Sequence, residues 1–599
     1  MVASHFSRFW RLSTFSLFFL LTLSAPWTLG SCAFKKPSGL TVELYGVPPN
    51  SEGRKSFILY ALSRDSLQPR LDGKKNGKLE YALDPALSVP RGYSLEVEYT
   101  LTPRKEESTT VKDSTPTPGT RLNSASSGNF MLKTGDSVSW ILPQDGRFLG
   151  FSENFSTLRY CVPLTTDTLG SLTFSSTGAD GVLEIQALRI VPRWFGFRRD
   201  GTTLNVTPFV SLQTPVPGPG GTYSIDVSDQ FRLSDPVALS IGGARGPMTL
   251  GSGEIKYDYR GGSGADSFLL GPGNLGTPPF PLTLSASRGP DSMVLQRAVP
   301  PPSAQAAIPA DPGLILSYQQ NLWRDKRFEV FSWDRFPSLL IFDTVSYEIQ
   351  DKLFKRLAFF VEKTGYRGHL ATIQEMAPYH GWNAHDYRAE DLAAFFESAR
   401  ASHFELLAEE KDLLRVLMAN GLVKLQDQGL KSERYVGGSG ALISISRESE
   451  GYLRSLFMIH ELFHGLFFID GDFQAFAKQR WDTLDPFARR FITAYFDSRM
   501  YDVRDPFLMR NELMAYCLQQ PVSMAATYFG KNIAGRLAAD PRRRSVLGSP
   551  SDASGLWEEP ARLFTEEAAA FSSYVEKRWG LSAGRISRIY QISWAKGTR

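Results

Sequence analysis

Two histidines four residues apart in an apolar segment constrain this chain more than any other feature. The motif reads His460-Glu-Leu-Phe-His464, and apolar residues at three- and four-residue steps across 452–468 predict a helix around it. Four residues turn a helix by about 400°, so both imidazoles project from one face. Unpaired polar groups among apolar neighbours cost free energy, and either hydrogen bonds or a shared metal ion can satisfy them. We favour one Zn²⁺, because this spacing suits it.

The motif resembles the His-Glu-x-x-His sequence of the zincin metallopeptidases. The resemblance implies that His460 and His464 hold one zinc ion and that Glu461 is the general base for a zinc-activated water. It also implies a third protein ligand further along the chain and an open fourth position. The expected reaction is hydrolysis of a peptide bond in a peptide or protein substrate.

Two acidic residues are candidates for the third ligand. Glu512 follows Asn511 in a sequence that resembles the ligand helix of gluzincins, 48 residues (512 − 464) after the second histidine. Asp470 lies six residues after that histidine, where metzincin-like enzymes with a shortened motif take their ligand. Those enzymes have a glycine where Phe467 stands in this chain. We therefore expect Glu512 to complete the site and keep Asp470 as the alternative.

A glycine-rich loop and an alternating strand precede the motif helix, and the strand is predicted over 441–446. The resemblance to zincins implies an edge strand at this place, whose free backbone groups pair with an extended substrate. The residues then expected to bind substrate are Ala441, Leu442, Ile443 and Ser444. The alternative is an internal strand that has no part in substrate binding.

A hydrogen-bond donor is expected near the metal, because negative charge develops on the scissile carbonyl oxygen during hydrolysis. The candidates between the motif and the end of the Glu512 helix are Tyr495, Tyr501 and Tyr516. Tyr516 shares a helical face with Glu512 at i+4, a position that equally suits packing. We take Tyr501 as the catalytic candidate, although its spacing does not single it out.

The C-terminal residues 314–599 have the pattern of a mainly helical α+β domain. Apolar residues recur at helical steps in 345–363, 390–400, 404–420, 452–468, 486–497, 506–518 and 558–579. The histidines outside the predicted signal peptide all lie here, namely His369, His380, His385, His403, His460 and His464. We expect a zincin-like metallopeptidase domain.

The residues before this domain have the alternating pattern of β-strands between clusters of glycine, proline, aspartate and serine. They predict one all-β sandwich domain over 40–195 and a second over 196–297. A segment rich in proline and alanine, 298–313, has the composition of a semi-rigid linker. The predicted fold is therefore multidomain, with two β-sandwiches followed by the helical domain.

The N-terminus has the organisation of an export signal. Basic residues, an apolar run and small residues over 1–31 predict a signal peptide. The sequence Leu-Gly-Ser-Cys that ends at Cys32 resembles a bacterial lipobox, which implies lipidation of that cysteine and a tether over 32–39. We expect an exported lipoprotein anchored in a membrane, at the periplasmic face or the cell surface; an unlipidated secreted protein and an uncleaved anchor are the alternatives.

Composition excludes other classes of protein. A formal net charge of +4 spread over 599 residues creates no basic field that would favour nucleic acid, so we expect no nucleic-acid partner. Three cysteines are too few for a disulfide framework. Charged residues at 21% and hydrophobic residues at 42% are typical of folded globular domains.

Two other functions compete with an exported peptidase. One is a surface binding protein, such as an adhesin, whose sandwiches bind a glycan or a protein while the zinc domain is inactive or structural. Trp140, Tyr160 and Trp194 could then stack on sugar rings, although aromatic residues in strands more often build the core. The other is a hydrolase of cell-wall peptides. Binding without metal-dependent turnover would favour the first, and digestion of muropeptides the second.

Overall fold

The computed structural model describes residues 39–45, 55–103, 128–135, 138–164, 166–215, 220–232, 234–262, 264–379, 383–426, 433–548 and 552–593. The predicted signal peptide and the predicted lipidation site Cys32 lie outside these ranges, as does all of the predicted tether except residue 39. Within them, none of the helices combines the length and the apolar character that a bilayer-spanning segment needs.

The N-terminal half folds into β-strands, which confirms the predicted β-rich character of this region. Short 3₁₀ turns interrupt the strands at Arg64–Leu67, Gly73–Lys75, Arg147–Leu149 and Pro272–Asn274. The strands are β1 (Gly39–Leu44), β2 (Lys55–Ala61), β3 (Arg70–Asp72), β4 (Lys78–Ser88), β5 (Tyr93–Thr102), β6 (Phe130–Thr134), β7 (Val138–Ile141), β8 (Thr157–Pro163), β9 (Thr168–Ser176), β10 (Val182–Pro192), β11 (Phe195–Asp200), β12 (Thr203–Val206), β13 (Val210–Pro215), β14 (Gly221–Ile225), β15 (Val237–Gly242), β16 (Pro247–Ser252), β17 (Ile255–Arg260), β18 (Ala265–Leu270), β19 (Leu282–Ala286) and β20 (Ser292–Arg297).

The large sheet of this half continues across the predicted sandwich boundary at 195/196. Its order is β18-β15-β20-β11-β12-β8-β5-β10-β1-β2-β4-β9-β6-β7, with β3 beside β10. Strand β12 pairs in parallel with β8, with Thr203 opposite Thr157. One hydrophobic core extends over both predicted sandwiches. The alternating pattern predicts the strands, but it carries no information about which strands pair across the chain.

The C-terminal half is a mixed α/β region that becomes mainly helical toward its end, as predicted. Its strands are β21 (Ile308–Ala310), β22 (Phe328–Trp333), β23 (Phe336–Thr344), β24 (His385–Arg388), β25 (Val423–Gln426), β26 (Arg434–Gly437), β27 (Ala441–Ser446) and β28 (Ile589–Ser593). Its helices are α1 (Pro312–Ser317), α2 (Tyr347–Glu362), α3 (Ile373–Met376), α4 (Ala389–Ala401), α5 (Ala408–Ala419), α6 (Gly451–Ile469), α7 (Gly471–Asp482), α8 (Pro486–Ser498), α9 (Pro506–Leu518), α10 (Val522–Thr527), α11 (Ala534–Ala539) and α12 (Glu558–Trp579). A π-helical turn, Tyr528–Ile533, joins α10 to α11, and 3₁₀ turns lie at Gln320–Leu322 and Arg544–Leu547.

A sheet in the order β21-β22-β23-β27-β24 forms the centre of the C-terminal half. Side chains on neighbouring positions of a strand point to opposite faces. Accordingly, Ile443 and Ile445 of β27 join the core formed with α6 and the C-terminal helices. Leu442 faces the other core, formed with α2, α4 and α5. Helices therefore cover both faces of the sheet. Helix α6 packs directly on the face that carries Ile443 and Ile445.

The two halves are connected by more than the predicted linker. The last part of that linker forms β21, which pairs in parallel with β22. Strand β28, from the C-terminal end of the described chain, pairs with β17 and completes the six-stranded sheet β13-β14-β19-β16-β17-β28. Beside it, Arg588 forms ion pairs with Asp266 at 2.6 Å, with Asp311 at 3.4 Å and with Asp334. Strand pairing and buried charge thus join the halves.

Candidate metal centre

Helix α6 carries the histidine motif into the interior of the C-terminal half. His460, Glu461 and His464 are all buried, at 8%, 6% and 1% exposure. Six residues before His460, Arg454 donates from both terminal nitrogens to the fully buried Asp343 of β23, at 2.6 and 2.7 Å. This bidentate ion pair fixes the position of the helix on the sheet, and with it the direction in which the histidines point.

The side chains of His460, His464 and Glu512 converge on one point. The two Nε2 atoms lie 3.0 Å apart. One oxygen of Glu512 lies 3.8 Å from Nε2 of His460, and the other lies 3.8 Å from Nε2 of His464. Glu512 Oε2 is buried without a hydrogen-bond partner. Two imidazole nitrogens and a carboxylate are a common ligand set for divalent transition metals, so this group can hold a metal ion.

The far sides of both imidazoles face polar groups. Nδ1 of His460 lies 2.9 Å from Oε1 of Gln519, at the C-terminal end of α9. Nδ1 of His464 has no hydrogen-bond partner, and the nearest carboxylate oxygen, from Asp386 in β24, lies 3.9 Å away. Asn511 donates to the same carboxylate at 3.5 Å. Metal-binding histidines characteristically have such acceptors behind them, because these fix the tautomer and the ring orientation.

The charges in the site also favour a cation. Burial and the neighbouring His464 hold the pKa of His460 well below its usual value, which leaves the imidazole neutral and able to bind a metal. Burial raises the pKa of Glu512 to about 8. Burial and the carboxylates of Asp386, Glu512 and Glu362 raise the pKa of Glu461 well above its usual value. A bound divalent cation would compensate the negative charge that raises these values.

The end of helix α2 contributes a charged pair beside the site. Lys363 is 2% exposed, and its Nζ lies 3.3 Å from Oε2 of Glu362. The same Nζ lies 5.2 Å from the ring centre of Tyr501, and the two backbones form an isolated antiparallel bridge. Burial raises the pKa of Glu362, although the ammonium group partly offsets this. A buried cation and a further carboxylate therefore border the candidate metal centre.

The three tyrosines that the sequence offers as donors occupy different environments. Tyr516 packs edge-to-face on His460, with ring centres 5.0 Å apart. Tyr495 is 2% exposed, packs on Tyr516 and accepts a hydrogen bond from Arg536. Burial and the nearby Glu512 raise the pKa of Tyr501 well above its usual value, so its hydroxyl keeps its proton. Tyr501 also packs, on Phe496 with ring centres 5.8 Å apart, and burial raises the pKa of Tyr516 as well, so Tyr501 and Tyr516 share both properties.

Asp470, the alternative third ligand, lies outside the histidine and glutamate cluster. Its side chain caps helix α7 by accepting from the backbone nitrogen of Phe473 at 2.8 Å. It also forms an ion pair with Arg578 at 2.6 Å. Both carboxylate oxygens are therefore used in holding α7 and α12 together, and Glu512 is the acid that faces the histidines.

The prediction of an edge strand over 441–446 is wrong. Strand β27 pairs in parallel with β23 on one side and antiparallel with β24 on the other. The residues expected to bind substrate are all within these ladders: Ala441, Leu442, Ile443 and Ser444. Among the described strands, the edges of this sheet are β21 and β24, and β24 (His385–Arg388) is the one next to β27. A four-residue strand gives too short an alternation to be distinguished from a loop in the sequence.

Sequence patterns assigned no individual role at the metal site to several polar residues that the structure brings there. Asn511 precedes Glu512 in α9, and Gln519 directly follows the end of that helix, two turns after Glu512, so helical periodicity could have placed Gln519 on the same side as Glu512. Asp386, Glu362 and Lys363 come from distant segments without a local motif, and only the fold brings them to the histidines.

No protein-family model matches this chain, and no curated protein sequence is significantly similar to it. Its function is therefore inferred from the buried group of His460, His464 and Glu512 itself.

Proposed function

We propose that this chain is a zinc-dependent metallopeptidase of the gluzincin type. The observation that supports the proposal is the convergence of His460, His464 and Glu512, with Glu461 next to the first histidine on the same buried helix. In this proposal the three converging residues hold one Zn²⁺. When bound there, the ion would supply Lewis-acid chemistry, polarising a peptide carbonyl and making water more acidic.

Glu461 is the general base in this proposal. Its carboxylate accepts a proton from the attacking water and later delivers it to the leaving amine. Burial and the carboxylates of Asp386, Glu512 and Glu362 raise the pKa of Glu461, and a cation bound beside them would lower it again, so that the carboxylate can accept a proton. Gln519 orients His460 by accepting from its Nδ1–H, and Asp386, 3.9 Å from Nδ1 of His464, would accept from that N–H once it moved within hydrogen-bond distance.

Tyr501 is the proposed hydrogen-bond donor to the oxygen on which negative charge develops. Its hydroxyl remains protonated, and Lys363 beside its ring adds positive charge to the same side of the site. A donor aimed at developing charge contributes typically a few kcal/mol to a hydrolysis step. A Tyr501→Phe variant would then lower kcat while leaving zinc affinity unchanged.

Strand β24 is the proposed substrate-binding edge, in place of β27. It is antiparallel to its only partner within the described sheet, and Asp386 in its centre lies beside His464. An extended peptide could add to its outer edge and present a peptide bond to the metal centre. Alternate backbone N–H groups of a bound strand face its partner, so single N-methylation of a cleaved peptide should weaken binding at alternate positions. Equal tolerance at every position would contradict strand addition.

The N-terminal sequence leads us to propose also that the protein is exported and anchored to a membrane by lipid on Cys32. Mass spectrometry of the mature N-terminus tests this directly. A diacylated or triacylated cysteine is expected, and an unmodified chain or a different cleavage site would contradict it.

Metal content and peptide hydrolysis of the whole chain test the proposed activity. The wild type is expected to retain about one zinc per chain after dialysis against a weak chelator and to cleave denatured protein. Glu461→Gln should keep the zinc and lose at least about 100-fold in kcat, since it removes the base. Glu512→Ala should lose the zinc. The matched control is Glu566→Gln, an exposed residue of α12, which should change neither property. A well-folded wild type without metal, or full activity in Glu461→Gln, would refute the proposal.

A further inference from the structure

A cavity of about 670 Å³ opens at the ends of strands β5, β8, β10, β11 and β20 in the N-terminal half. We call it the arginine cavity, because Arg91, Arg193 and Arg297 line it together with a single acidic residue, Asp167. Its volume lies in the range of small-molecule sites. It is separate from the candidate metal centre, since none of its lining residues comes from the C-terminal half.

Arg193 is held rigidly in the wall of this cavity by neutral groups. One of its terminal nitrogens donates to the backbone oxygens of Tyr93 and Leu164, at 3.1 and 3.2 Å. The other donates to Oε1 of Gln230 at 3.4 Å. No carboxylate among the described residues contacts this guanidinium, and its Nε is buried without a partner. The positive charge is therefore fixed in place but not neutralised within the protein.

Arg297 brings a second positive charge toward the first. Arg297 lines the same cavity as Arg193, and burial together with the positive charge of Arg297 lowers the pKa of Arg193. Arg297 stacks over Phe231, at 5.8 Å from the ring centre, and pairs with Asp235 at 2.8 Å. That aspartate compensates one of the two cations. An anion in the cavity would remove the remaining repulsion.

Two phenylalanines and two amide side chains form another part of the wall. Phe195 and Phe231 meet edge-to-face with ring centres 5.4 Å apart. Gln230 and Gln296 add amide groups, which can both donate and accept hydrogen bonds. Amides can bind the hydroxyl groups of a sugar, and guanidinium groups that line one cavity suit an oxyanion.

We propose that the arginine cavity binds an acidic monosaccharide unit, with its carboxylate or phosphate on Arg193 and Arg297 and its hydroxyl groups on the amides of Gln230 and Gln296. This site differs from the tryptophans and tyrosine that the sequence suggested for sugar stacking. Tyr160 and Trp194 are buried at 5% and 7% exposure, and Trp140 packs on Phe209. The proposal goes beyond the peptidase activity and does not depend on it.

Titration calorimetry of the full chain with four probes tests the proposal. Glucuronate and glucose 6-phosphate separate a carboxylate from a phosphate, glucose lacks the charge, and inorganic phosphate lacks the ring. At least one acidic sugar should bind, while glucose and inorganic phosphate should bind at least tenfold more weakly. Failure of both acidic sugars to bind would refute the proposal, and so would equal affinity for inorganic phosphate.

Variants locate the binding to the cavity. Arg297→Gln, whose side chain is 60% exposed in the wild type, should fold normally and weaken acidic-sugar binding at least tenfold. Arg193→Gln should weaken it further, although this variant also loses contacts to backbone oxygens and its melting temperature must be measured. Arg147→Gln, an arginine 83% exposed and outside the cavity, is the matched control and should bind like the wild type. Unchanged binding in Arg297→Gln would overturn the assignment.

Discussion

Nδ1 of His464 is buried without a hydrogen-bond partner, and a carboxylate oxygen of Asp386 lies 3.9 Å from it. The opposite ring nitrogen, Nε2, faces Glu512. A metal bound at Nε2 requires the proton to be on Nδ1, and that proton then needs an acceptor. Asp386 has the carboxylate nearest to that nitrogen and would accept the proton once it moved within hydrogen-bond distance, so strand β24 lies beside the metal centre.

Asp386→Ala should weaken zinc binding by about 10- to 100-fold, because His464 loses the carboxylate that orients it. The dissociation constant is measured by competition with a chromophoric chelator, which does not depend on enzymatic activity. Asp472→Ala, at a side chain 77% exposed on α7, is the control and should bind zinc like the wild type. An unchanged affinity in Asp386→Ala would exclude this role.

Asp470→Ala should retain the full zinc content of the wild type, because this residue caps α7 and pairs with Arg578 away from the histidines. Loss of the cap should lower the free energy of unfolding by about 1 kcal/mol. Chemical denaturation measures the stability, and elemental analysis measures the metal. If Asp470→Ala lost its zinc while Glu512→Ala kept it, the third ligand would be Asp470 and not Glu512.

Arg454→Met should destabilise the C-terminal half, because it breaks the buried ion pair that fixes α6 on β23. Asp343 would keep only Arg447, at 2.8 Å, as a charged partner. Breaking a buried pair from one side typically costs about 3–5 kcal/mol. Lys478→Met removes an exposed pair with Asp482 and should change stability by less than about 0.5 kcal/mol. Thermal unfolding compares the two variants. Equal melting temperatures would contradict the role of the Arg454–Asp343 pair in fixing α6 on β23.

The buried Asp311 should make stability depend on pH. Burial and repulsion by Asp334 raise its pKa to about 6, although Arg588 acts in the opposite direction. The native state therefore binds this proton more tightly than the unfolded chain, and the stabilisation is complete below about pH 4 and is lost as the pH rises to about 6. A shift of about two units corresponds to ~3 kcal/mol.

Asp311→Asn removes this titration. The unfolding free energy of the wild type relative to the variant should therefore fall between about pH 4 and pH 6, and a constant difference would refute the shift. Denaturation at several pH values measures it. The comparison with the variant is necessary, because other carboxylates also titrate in this interval.

Local patterns predicted the elements that carry the candidate site. The periodicity predicted helices over 506–518 and 558–579, and the structure has α9 and α12 with the same bounds. The motif helix predicted over 452–468 corresponds to α6, Gly451–Ile469. Each of these helices repeats its apolar face over three or more turns, so the signal lies within one segment of the chain.

The position of β24 could not be predicted in this way. Its four residues pair with β27, about 55 residues later in the sequence, and alternation within a strand does not name a partner. For the same reason sequence patterns could not place Asp386 beside His464, which it approaches only through that pairing. The continuation of the large sheet across the predicted sandwich boundary could not be predicted for the same reason. Strand β12 pairs with β8, which is not its neighbour in the sequence.

The pairing of β28 with β17 has a consequence for how the protein is made. The sheet that contains β17 lacks one strand until residues 589–593 have left the ribosome, long after the rest of that sheet has been synthesised. A nascent chain that already contains both histidines and Glu512 still exposes an unpaired strand edge in its N-terminal half. Truncation before β28 would leave that edge open to aggregation and proteolysis, so the cell could recognise incomplete copies by their unfinished sheet.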